Sequence, residues 1–139
     1  MENTFKKRLE ELTIETDEVE YEGRKITYAV INADLSPSPR YFVGYGNGNP
    51  FISEEVPESY RIPMIIHEVV EFEKFNGIEG RCLEALKLEL KQVPIEQYDN
   101  YWNFRRAVFY ELIAFLKKYE PNSPLIKEAL KSSDYLAMQ

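Results

Sequence analysis

The chain has 139 residues, of which 44% are hydrophobic and 29% charged, and it carries a net charge of −7. That length suits a single domain, residues 1–139, with one core, and the composition excludes a disordered chain. The negative charge argues against nucleic acid and against an anionic membrane as partners, since both recruit Lys and Arg.

No apolar run approaches the roughly 18 residues of a membrane-spanning helix. Met1–Arg8 leads into Glu-rich sequence and not into an apolar segment, so no secretory signal is expected. Cys82 is the single cysteine, and no intramolecular disulfide can form. These features together predict a soluble, cytoplasmic protein.

Phe5, Leu9 and Leu12 recur at helical spacing and predict a short amphipathic helix over 3–12. Val19–Glu22 and Lys25–Asn32 bracket Gly23 and predict two antiparallel strands joined by a tight turn. Ser36-Pro37-Ser38-Pro39 is loop, and Arg40–Tyr45 returns to strand character. Gly44–Pro50 is a turn cluster; it lacks the Gly-Lys-Ser/Thr ending of a phosphate cradle. Pro50–Glu54 predicts a short edge strand, where the missing N–H of proline is harmless.

The next helix begins near Tyr60–Ile62, with Pro63 in its first turn, and stops at Asn76-Gly77. Ile78–Val93 is helical, with Leu83, Leu86 and Leu90 in register. Residues 98–119 are the strongest helix. Phe104, Val108, Leu112 and Phe115 are its expected core, and Trp102 is expected to be partly exposed. Ser123-Pro124 opens a last short helix, and residues 132–139 read as a loose tail. The layout predicts an α+β domain: a small antiparallel sheet of about four strands, with three to four helices packed on one side.

His67, the only histidine, lies mid-helix in the pattern His67-Glu68-x-x-Glu71. At about 100° per residue, His67 and Glu71 fall about 40° apart on one helical face. Two such side chains can hold one metal ion while Glu68 handles a proton. On a helical wheel Ile62, Ile65, Ile66, Val69 and Val70 form the apolar arc, and His67 and Glu71 lie in the complementary one. A histidine beside glutamates is also an ordinary source of ion pairs, and Lys74 is a ready partner for Glu71.

The run from Phe51 to Glu71, a strand, a short connection and a helix with His-Glu at its middle, resembles the active-site unit of zincin-type metallopeptidases. The resemblance spans about residues 40–90. It implies a zinc-dependent, peptidase-like hydrolase, active or degenerate, with His67 as first zinc ligand and Glu68 as general base. Glu71 stands where that family has its second histidine. The third ligand then falls on the following helix, where Glu89 is favoured and Cys82 is the alternative. Phe51, Ile52 and Ser53 would align an extended peptide by strand pairing. Tyr98 and Tyr101 are candidate oxyanion donors.

Two readings from other classes compete. One is a non-catalytic module that binds a peptide or protein partner through the aromatic helix 98–119. The other is a structural homodimer formed through the same helix, whose apolar face is wide.

Overall fold

The computed structural model describes the backbone of residues 2–46 and 48–138, and side chains from Thr4 onward within those ranges. Asn47, in the predicted Gly44–Pro50 turn, and Gln139, at the end of the predicted tail, lie outside the described residues. The chain divides into two compact units, one ending at Val69 and one beginning at Val70.

The first unit holds α1 (Glu2–Leu12), β1 (Thr13–Tyr21), β2 (Arg24–Ile31), β3 (Val43–Gly46), β4 (Asn49–Ser53) and α2 (Glu58–Val69). Glu22 and Gly23, at φ 50° and 78°, form the two-residue turn between β1 and β2. Positive φ at both positions matches the twist of the flanking strands. The sequence predicts the first strand only from Val19. It begins six residues earlier, because the acidic stretch from Thr13 pairs along the whole length of β2. Its outward acids blunt a long exposed edge.

The sheet order is β1-β2-β4-β3, with β2 and β4 parallel and the other pairs antiparallel. The expected all-antiparallel sheet is therefore corrected to a mixed one. β4 is also corrected from an edge to an interior strand. Pro50 is tolerated there because pairing with β2 begins only at Phe51. The ladder continues past the strand ends through Ser53 N–H to the Phe42 carbonyl and Glu54 N–H to the Ile31 carbonyl, both 2.9 Å.

On one face, Ile31, Leu35 and Phe42 pack with Leu9 of α1, and Phe51 adds its ring beside Phe5 and Phe42. Ile26, Tyr28 and Val30, buried on the opposite face of β2, alternate with them. α2 lies along β3 and β4. It starts at Glu58, earlier than predicted, with Pro63 inside it. Arg61 secures the approach to this helix, donating from Nε to the Val56 carbonyl and from Nη2 to the Glu54 carbonyl.

The second unit opens with a π turn, Val70–Lys74. Phe75 N–H closes it on the Val70 carbonyl at 3.0 Å. α3 (Arg81–Leu90), α4 (Tyr98–Tyr119) and α5 (Leu125–Ala137) follow, so the helices number five among the described residues. α5 packs against both α3 and α4. The predicted loose tail is helical to Ala137, because Ala129, Ser132 and Leu136 at positions i, i+3 and i+7 are buried.

Trp102, expected to be partly exposed, retains only 7% of its surface and donates Nε1–H to the Leu136 carbonyl at 3.0 Å. The buried face of α4 is carried by Tyr101, Trp102, Arg105, Val108, Phe109 and Leu116. Phe104, Leu112 and Phe115 are only half-buried.

Gly44 is required by the ring of Phe51. A Cβ at position 44 would fall within 2.9 Å of Phe51 Cε1 and closer still to Cζ. Gly44→Ala should cost about 1–3 kcal/mol by overpacking. Gly46→Ala, whose methyl would meet the same ring at an ordinary 3.7 Å, should cost far less. Urea denaturation of the two variants checks this; equal midpoints would contradict it.

Candidate functional site

The end of α2 is buried on every side: all seven residues from Pro63 to Val69 are enclosed. His67 keeps 2% of its surface, and Glu68 is buried beside it. The helical wheel puts these two on or beside a solvated arc, and that is overturned, since a helix buried all round has no such arc. Ile62, assigned to the core from the same wheel, is 46% exposed.

Glu71 sits in the π turn and is buried. Cys82, the second residue of α3, is buried as well. A carboxylate oxygen of Glu71 and the Cys82 sulfur lie within 4.8 Å of each other. The arrangement follows from the reversal at Asn76-Gly77. Residues 71 and 82 are equidistant from that turn, so the start of α3 returns to the level of Glu71. Gly77, at φ 79°, takes the left-handed conformation such a reversal needs.

Each of the two groups is held by neighbours. Arg81 Nε donates to Glu71 Oε2 at 3.2 Å, and the Arg81 guanidinium lies 5.1 Å from the centre of the Phe72 ring. The expected Lys74 partner of Glu71 is thus replaced by Arg81 as its observed ion pair. The Ser132 hydroxyl donates to Cys82 Sγ at 3.2 Å. The carboxylate of Glu128 accepts from Gly80 N–H at 3.0 Å and Cys82 N–H at 3.1 Å. Side chains one turn apart on α5 therefore fix both the backbone and the thiol of Cys82. An anion at a helix N-terminus also complements the backbone dipole.

Glu89, the favoured third ligand, is engaged elsewhere. Its carboxylate meets Arg105, with Nη2 at 3.0 Å from Oε1 and Nε at 2.7 Å from Oε2. The Nε contact lies off the N–H direction, so Nη2 makes the directional hydrogen bond. Tyr101 donates its hydroxyl to Glu89 Oε2, which spends the group expected as an oxyanion donor. Tyr98 is partly exposed and tilts against Trp102, 5.1 Å between ring centres. Burial is the largest influence and disfavours the charge on Arg105, but Glu89, Tyr101 and Cys82 together outweigh it, and the guanidinium is held above its ordinary pKa.

The strand residues expected to bind substrate are closed off. Ile52 and Ser53 are fully buried, and β4 is paired on both sides. Ser53 Oγ also donates to the Arg40 carbonyl at 3.0 Å. An extended peptide cannot add to a strand that has no free edge.

The chain matches no protein-family model. Neither a curated protein nor a solved structure is significantly similar to it. Function rests on the residues themselves. Among the described residues no helix is long and apolar enough to cross a membrane.

Sequence reasoning missed Arg81, Ser132, Glu128 and Arg105. For Arg105 a signal exists: it interrupts the apolar spacing Tyr101–Phe109, as Glu89 interrupts Leu86–Leu90, and two misplaced charges suggest each other. No spacing links Glu128 or Ser132 to residues 80–82, because that contact is tertiary.

Removing one member of the buried pair strands the other. Glu89→Ala should destabilise by about 3–5 kcal/mol, and Glu89→Leu with Arg105→Met by much less. Equal losses in chemical denaturation would show that packing, not charge, dominates there.

Proposed function

We propose that this chain binds a transition metal ion, zinc by the chemistry of the donors, through Glu71, Cys82 and His67. The observation that carries the reading is the approach of the buried Glu71 carboxylate and Cys82 sulfur to within 4.8 Å. His67, four residues ahead of Glu71 in the sequence, is the third donor in this reading. Imidazole, thiolate and carboxylate all belong to the zinc ligand set. Glu71 lies in a π turn, an element that recurs at functional positions in helices.

The reaction class that follows is metal-assisted hydrolysis of a zincin-like kind. Three protein ligands leave room for a water, and a bound zinc ion would lower the pKa of that water towards 7. Glu68, adjacent to His67, is the carboxylate that would accept its proton. Phe51–Ser53 lie on a strand paired on both sides and do not align the substrate by strand addition.

A second reading, a non-catalytic module binding a protein partner, is supported by the outward aromatic residues Tyr110 and Tyr119 of α4. In that reading any metal is structural.

Protein purified without added metal should carry stoichiometric zinc by elemental analysis. His67→Ala and Cys82→Ser should each weaken zinc binding by roughly tenfold or more. Glu68→Gln should keep the metal and lose hydrolysis of an unfolded protein substrate. Absence of metal, with a melting temperature unmoved by added zinc, would remove the metal reading in favour of the interaction module.

A further inference from the structure

Arg81 is placed against the ordinary rules of helix charge. It is the first residue of α3, where the backbone dipole is positive and cations are disfavoured. Its Nε nevertheless donates to Glu71 Oε2 at 3.2 Å, and Phe72 supports its guanidinium from the ring face. The side chain of Glu71 is 8% exposed and that of Arg81 24%. The carboxylate is thus held inside while the guanidinium keeps a route to solvent.

We infer that Arg81 is a tethered counter-cation that occupies Glu71 in the metal-free protein and competes with the metal ion for it. The inference rests on the metal reading above and assigns that site its regulation. A neutral hydrogen-bond donor behind a ligand strengthens metal binding by orienting the ligand. A guanidinium does the opposite here, because its positive charge repels a divalent cation at close range in a poorly screened site. It also draws on the same carboxylate that the ion needs. Glu128 sharpens the effect, since its charge is committed to the backbone N–H groups of Gly80 and Cys82 and not to Arg81. Arg81 therefore keeps Glu71 ordered without metal, and swings towards solvent when metal binds. The competition weakens the apparent affinity of the site for metal by the fraction of time that Arg81 occupies Glu71.

The test is zinc affinity measured by chelator competition on the full chain, with cobalt(II) spectra to report the Cys82 thiolate. Arg81→Gln should bind zinc about tenfold more tightly than the parent, from the loss of one repelling charge. Arg81→Lys, which keeps the charge and loses the fork, should stay near the parent. Circular dichroism of both variants establishes that they fold. If Arg81→Gln binds equally or more weakly while the parent binds zinc, the counter-cation role is overturned and the metal reading stands. If neither protein binds zinc and no thiolate-to-cobalt band appears, both fall.

Discussion

A guanidinium shut away from water must have its charge answered, and Arg105 answers to Glu89. Both side chains are essentially unexposed, and the pair joins α4 to α3. Tyr101 completes the set by donating to the same carboxylate, and the Phe109 ring lies 4.6 Å beneath the guanidinium. Leucine in both positions would pack with any apolar neighbour. A charged pair accepts one register, because any slip strands a buried charge. The register of α3 against α4 is thereby fixed, and α5 closes over it through the Leu136 carbonyl, which accepts from Trp102 and Arg106.

That register places the start of α3, and the start of α3 carries the candidate site. Glu128 grips the backbone of Gly80 and Cys82, and Ser132 holds the thiol. Both come from α5, so the helix read from sequence as short, with a loose end, is the one that positions the thiol. Lys127 and Lys131 add ion pairs to Glu79 and hold its carboxyl below the usual range. These exposed pairs are worth little energetically. They sit at the level of the same turn and mark where α5 approaches it.

What is legible in the sequence is local. The β1–β2 hairpin follows from β-branched runs about a single Gly, and the Asn76-Gly77 stop ends the helical run. The amphipathic α4 is legible too, though its inward face is rotated towards Tyr101 and Phe109. What is not legible depends on contacts distant along the chain. Pro50 reads as an edge signal, yet β4 pairs with both β2 and β3, and Pro50 is tolerated because pairing to β2 starts one residue later. The wheel of α2 assumes one solvated arc, and burial from Pro63 to Val69 removes it. Glu89 is chosen over Cys82 by counting back from the turn to His67. Counting to Glu71 selects Cys82, and the charge of Arg105 claims Glu89.

Metal binding and peptide hydrolysis make different demands on this scaffold. A metal needs converging donors, and Glu71 and Cys82 converge within one unit on a short reversal of chain. Peptide hydrolysis needs, in addition, a surface that holds an extended backbone near the metal-activated water. β4 cannot provide it, since both its edges are paired. The free edges belong to β1, lined with acids, and to β3, only four residues long. A substrate held by β1 would have to be basic, and one held by β3 would gain few backbone hydrogen bonds. Any hydrolytic substrate must be recognised by side chains, not by strand addition to β4.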